Sequence, residues 1–182
     1  MSETVDAINL HTAKGEDPYG NPRALAVDNE GRLIRSGVTY LSLTLVVTAG
    51  AYSANDGVGG PLVFTGVPEG RLESVVITDR AAQNVKYVLV LSDAGPRTPI
   101  ADNDTFDVDD LDLPNIIPGC AIHIETADRT ALTDSSVSVA YNLAVPILPL
   151  EGMLYGLLFT TGTPTYAATT DVRIRLGITR GG

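Results

Sequence analysis

Tryptophan is absent from this chain, and three Phe and seven Tyr bring the aromatic share to only 5%. So few rings argue against a stacking platform for sugars or bases. A single cysteine allows no intrachain disulfide, so no covalent staple is expected and secretion is not indicated. Two histidines, His11 and His123, are too few for a His-rich metal centre. No G-x-S-x-G nucleophile motif occurs. The first residues lack a basic segment followed by an apolar one, so no signal peptide is expected. No apolar run approaches the roughly 18 residues of a membrane-spanning helix, so no membrane partner is expected. Cations are scarce too: 12 Lys and Arg stand against 22 Asp and Glu, a formal net charge of −10. That balance repels phosphate backbones, and no direct nucleic-acid ligand is expected.

What is present is a core's worth of apolar side chains, 44% of 182 residues, cut into short runs by 18 Gly and 11 Pro. Length suits one domain with a segment to spare. Residues 1–37 are polar and broken, and read as an extended N-terminal arm with a hairpin around Asn29-Glu30-Gly31. Residues 38–182 read as the domain. There Leu41, Leu43, Leu45 and Val47 alternate with polar neighbours. Further runs follow at Pro61–Thr65, Leu72–Asp79, Lys86–Ser92, Gly119–Glu125, Ser136–Leu143, Met153–Thr160 and Asp171–Ile178. In the last, Val172, Ile174, Leu176 and Ile178 point one way and Arg173 and Arg175 the other. Turn residues separate the runs, and Asp107–Ile117 alone could hold a short helix, limited by Pro114 and Pro118. The expectation is an all-β, antiparallel β-sandwich or barrel. Only Lys14 and Lys86 are lysine, and the Arg bias suits a chain that works in contact with other proteins.

Four features invite a chemical reading. The glycines of "AYSANDGVGGPLVFTG" (Ala51–Gly66) look like a phosphate loop, but a short β-branched run follows them and no Lys lies nearby. A connection between strands, with Gly supplying positive φ, is the expectation. Asp102, Asp104, Asp107, Asp109, Asp110 and Asp112 could hold a cation, yet they lack EF-hand spacing. A solvated loop whose aspartates cap backbone amides is expected, with no metal. His123 and Glu125 share one side of a strand and could do acid–base work. An outward structural pair is expected, with Cys120 packed as a small hydrophobe on the other side. Tyr155, Phe159 and Tyr166 cluster near the C-terminal hairpin and are assigned to core and subunit contact. No catalytic residue, cofactor site or metal site is expected, and the chain is not read as an enzyme.

The stretches "AYSANDGVGGPLVFTGV", "ESVVITDRAAQNVKYVLVLSD", "DNDTFDVDDLDLPNIIPG" and "LYGLLFTTGTPTYAATTDVRIRLGI" together resemble small structural proteins of tailed-bacteriophage virions. The resemblance covers about Leu41 to Ile178. It implies a jelly-roll type sandwich that serves as a head decoration (cement) protein. Such a protein bridges capsomers on the capsid exterior, having been made in the host bacterial cytoplasm. Its implied partners are the major capsid protein and itself, as a homo-oligomer, trimer or dimer. A tail or fibre protein that binds a receptor is the alternative. A cupin-type enzyme, the third reading, would need a His-rich metal centre, which two histidines do not favour.

Overall fold

Alternation in the sequence becomes pairing in the structure, a computed structural model that describes residues 14–16, 22–24 and 37–180. The chain divides into two units at Ser36 and Gly37. In the first, β1 (Lys14–Glu16) pairs antiparallel with β2 (Pro22–Ala24). This pair and Gly37 apart, the arm expected over residues 1–37 lies outside the described residues. So do His11 and the hairpin expected at Asn29-Glu30-Gly31.

The second unit is all-β, in antiparallel sheets, an arrangement consistent with a β-sandwich. Its strands are β3 (Val38–Thr44), β4 (Gly50–Ala51), β5 (Gly57–Thr65), β6 (Gly70–Asp79), β7 (Tyr87–Ser92), β8 (Ile116–Ile124), β9 (Arg129–Ala131), β10 (Ser136–Ile147), β11 (Met153–Thr160), β12 (Thr165–Tyr166) and β13 (Val172–Arg180). Five form one sheet in the order β3-β13-β6-β10-β9, and four form another in the order β5-β11-β7-β8. A small ribbon joins β4 to β12. All eight expected runs fall on strands, although the first, Leu41–Val47, leaves β3 after Thr44. The short β4, β9 and β12 carry too few residues to show a period, and the sequence hides them. In place of the helix allowed over Asp107–Ile117 stands a single 3-10 turn, Leu113–Asn115, with Pro114 at its start.

Burial follows the alternation. Along β13 Val172, Ile174, Leu176 and Ile178 are buried while Arg173 and Arg175 are exposed. These residues join Val75 and Ile77 of β6, Leu154 and Leu158 of β11 and Ile122 and Ile124 of β8 in one core. Both sheets therefore contribute an inner face to the same apolar layer, which removes its surface from water.

β7 departs from the pattern, since Tyr87 through Leu91 are all buried. One of its faces meets the core. The other lies under the connection spanning residues 93–115, where Phe106 stacks on Phe159 at 4.1 Å and Val108 sits near Val90 and Leu157. A strand covered on both faces reads as a continuous apolar run, as "YVLVL" does.

Candidate functional site

The glycine-rich stretch is not the connection expected from sequence. Gly57, Gly59 and Gly60 lie inside β5, and the turn comes earlier, at Asn55 with φ 70°. Gly59 (φ +81°) and Gly60 (φ +65°) do take the left-handed conformation, where β5 bulges against β11 between Leu157 and Phe159. Bending the strand there turns the Gly59 amide to an anion supplied by the protein itself: its N–H donates to the carboxylate of Asp102.

Asp102 is the hub of the acidic segment. Its carboxylate accepts hydrogen bonds from the backbone N–H groups of Thr48 and Gly59 and, at 2.7 Å, from the Tyr52 hydroxyl. Burial, then that carboxylate, push the Tyr52 pKa up, since both disfavour a phenolate. Asp112 is buried rather than solvated; it accepts from the Arg97 N–H at 2.8 Å and lies 3.8 Å from the Arg97 guanidinium. Asp109 caps the Leu111 N–H. Capping by aspartate is thus what was expected of this segment, whereas full solvation was not correct. Half of the aspartates are spent on fastening the connection over β7 and β11. Asp104, Asp107 and Asp110 stay exposed. Among the described residues no group of three or more His, Cys, Asp or Glu side chains is placed to hold a metal.

The other expected constellations separate. Glu125 lies just past the end of β8 and pairs with Lys86 at 2.5 Å, while His123 stands exposed. The register explains this: Val88 faces His123, so the residue two earlier, Lys86, faces Glu125. Cys120 is fully buried, and burial raises its thiol pKa to about 11. Tyr155 and Phe159 lie half-buried on the outer side of β11, whereas Tyr166 is in the core. The three rings form no common cluster, because residues 155 and 159 point away from the sheet face that Tyr166 covers.

A polar chain that the sequence does not advertise crosses the core. Asp79 accepts from the N–H groups of Ala81 and Gln83 at 2.8 and 2.9 Å and from the Tyr87 hydroxyl at 3.3 Å. Tyr87 and Tyr166 share a hydrogen bond, and the Tyr166 ring meets Tyr52 edge-on at 5.1 Å. Burial raises the pKa of Asp79, Tyr87 and Tyr166 alike. Asp79, Tyr87 and Tyr166 line none of the concavities described below. Their arrangement satisfies polar atoms inside the core.

An accessible concavity lies elsewhere, along the side of the unit where the sheets are open. β9 covers only Ser136–Ser138 of β10, so the later half of β10 is an edge, and it runs beside the edge strand β8. Between them is a mostly apolar groove of about 330 Å³ walled by Pro114, Ile116, Ile117, Pro118, Pro146 and Leu148, with Asp93 at its margin. It continues into a depression of about 390 Å³ at Glu69, Asp93, Ala94, Pro149 and Leu150. Leu148 and Leu150 are 71% and 69% exposed. Proline on these edges has no N–H to offer, which blocks strand addition and leaves a stiff surface suited to side chains. Spacing of prolines in the sequence hinted at loops, and only the pairing shows that they border one groove.

No family model, no curated protein and no solved structure matches this chain.

Proposed function

We propose that the protein is a structural subunit of a tailed-bacteriophage virion, a decoration (cement) protein without catalytic function. It binds the major capsid protein on the capsid exterior and bridges capsomers as a homo-oligomer. The observation that carries this reading is the Pro- and Leu-walled groove with Leu148 and Leu150 standing in solvent. Exposed apolar side chains gathered at one groove fit a protein contact, where their burial gains about 25 cal/mol per Å². The resemblance of the four sequence stretches supplies the identity of the contact.

A jelly-roll type sandwich is part of the same proposal. Counting only the eight long strands in chain order, the sheets run 1-8-3-6 and 2-7-4-5, which supports two interleaved Greek keys. Residues 1–37 act as an arm that orders on a neighbouring subunit.

Co-sedimentation with empty expanded heads tests the reading. The full chain is expected to bind, and Leu148→Asp with Leu150→Asp is expected to weaken binding by on the order of tenfold or more. Removal of residues 1–36 should also weaken it while the sandwich stays folded. Absence of binding by the full chain would move the assignment to a tail or fibre.

A further inference from the structure

Toward one end of the outer face of the five-stranded sheet Glu73 accepts from the Thr179 hydroxyl at 3.0 Å, while the middle of that face carries arginine and no carboxylate. Three rows of paired residues cross it: Tyr40, Gly177, Ser74 and Tyr141; Ser42, Arg175, Val76 and Val139; Thr44, Arg173, Thr78 and Val137. These rows hold two arginines and no carboxylate, in a chain with 22 Asp and Glu. Between the rows is a depression of about 250 Å³ lined by Ser42, Val76, Thr78, Val137, Arg173 and Arg175. The Arg175 guanidinium lies 5.1 Å from the centre of the Tyr40 ring, which holds it over the face. Neither arginine is ion-paired among the described residues. Tyr40 and Tyr141, 60% and 68% exposed, add apolar area at one end.

The complementary surface is on the same chain. Asp104, Asp107 and Asp110 are exposed and take no part in the capping that engages Asp102, Asp109 and Asp112. Next to them Leu111 and Leu113 are exposed. We infer that the Arg173–Arg175 face binds the Asp104–Leu113 segment of a second copy of this chain. Carboxylates meet guanidiniums, and the two leucines meet the valines and tyrosines.

Geometry then dictates the symmetry. The segment covers the outer side of the four-stranded sheet, through Phe106 on Phe159, so it lies across the core from the arginine face. One copy cannot bring both surfaces to the same partner. The contact is heterologous, and a closed assembly built on it is a ring of three or more subunits, which excludes a two-fold dimer. This inference deepens the self-association in the function proposed above and rests on that part of it.

Sedimentation equilibrium on the full chain reads the outcome, with three variants whose melting temperatures are checked first. Wild type is expected to form a ring larger than a dimer that weakens as salt rises. Arg173→Glu with Arg175→Glu, and separately Asp107→Arg with Asp110→Arg, are each expected to weaken association by on the order of tenfold or more. All four substitutions in one chain restore opposite charges and should restore the ring. A monomeric or dimeric wild type, either charge-reversed pair assembling as wild type does, or no recovery in the fourfold variant overturns the inference. Binding of heads by these same variants reads the capsid assignment separately, because the groove at Leu148 is untouched.

Discussion

The hydroxyl of Tyr87 lies 2.9 Å from that of Tyr166, although 79 residues separate them in the chain. Tyr87 also donates toward Asp79 at the end of β6, so one phenol ties the two sheets and the β4–β12 ribbon together. Each member is a polar group in the core whose burial is tolerated because another member satisfies it.

Removing that link should be costly and non-additive. Tyr87→Phe leaves the Tyr166 hydroxyl without its partner, for a loss of about 1–3 kcal/mol. Tyr87→Phe combined with Tyr166→Phe removes both hydroxyls and should cost less than the sum of the single changes. Urea unfolding of the three variants checks this, and simple additivity would mean the hydroxyls do not depend on each other.

Asp79 gives a pH signature. Burial raises its pKa above the ordinary Asp value, so folding takes up a proton there. Its contribution to stability is complete below the unfolded value and is lost as pH rises through the folded one. Asp79→Asn cannot titrate. The stability gap between wild type and this variant should therefore be widest in acid and narrow toward neutral pH. Denaturation measured across that range decides it; a gap that widens with pH would contradict the assignment.

Asp102 fastens the connection between β7 and β8 to Thr48, Tyr52 and Gly59. Asp102→Ala leaves the Gly59 N–H and the Tyr52 hydroxyl without their acceptor, while the Thr48 N–H keeps the Tyr52 oxygen at 2.8 Å, and is expected to cost about 3 kcal/mol. It should also release the segment, read as faster amide exchange over residues 100–112. Tyr52→Phe keeps the two backbone bonds and should cost about 1 kcal/mol.

Gly59 admits no side chain. A Cβ there would stand 2.7 Å from the Leu45 Cβ, at a φ of +81° that other residues rarely adopt. Gly59→Ala is expected to lower stability by about 2 kcal/mol or more, measured as a fall in melting temperature. Gly66 has a similar φ with open space around it, so Gly66→Ala carries the backbone cost alone and should be milder.

Cys120 should be inert in the native protein. It is fully buried, and its thiol, with a pKa of about 11, holds almost no thiolate at neutral pH. A thiol reagent should label it only after denaturant is added. Rapid labelling of the folded protein would show that β8 opens readily.

How much was legible in the chain depends on the range of the interaction. The period-two alternation of Val172–Ile178 and of Leu41–Val47 is a local signal, because a half-buried strand must place successive side chains on opposite faces. It fixed the all-β class, the long strands and the burial of Cys120, Ile122 and Ile124. The aspartates likewise announced amide capping, since a short carboxylate reaches its own neighbours, as Asp109 reaches Leu111.

What the tertiary structure decided are the relations that span tens of residues. Asp102 meets Gly59 and Thr48, Tyr87 meets Tyr166, and Glu125 turns to Lys86 instead of His123. The order of strands set these partners by bringing distant backbones side by side, and a strand's own residues do not encode which neighbour it takes. The groove at Leu148 has the same origin. Its prolines and leucines come from β8, β10 and the connections beside them, and they face one another only because two sheet edges meet there.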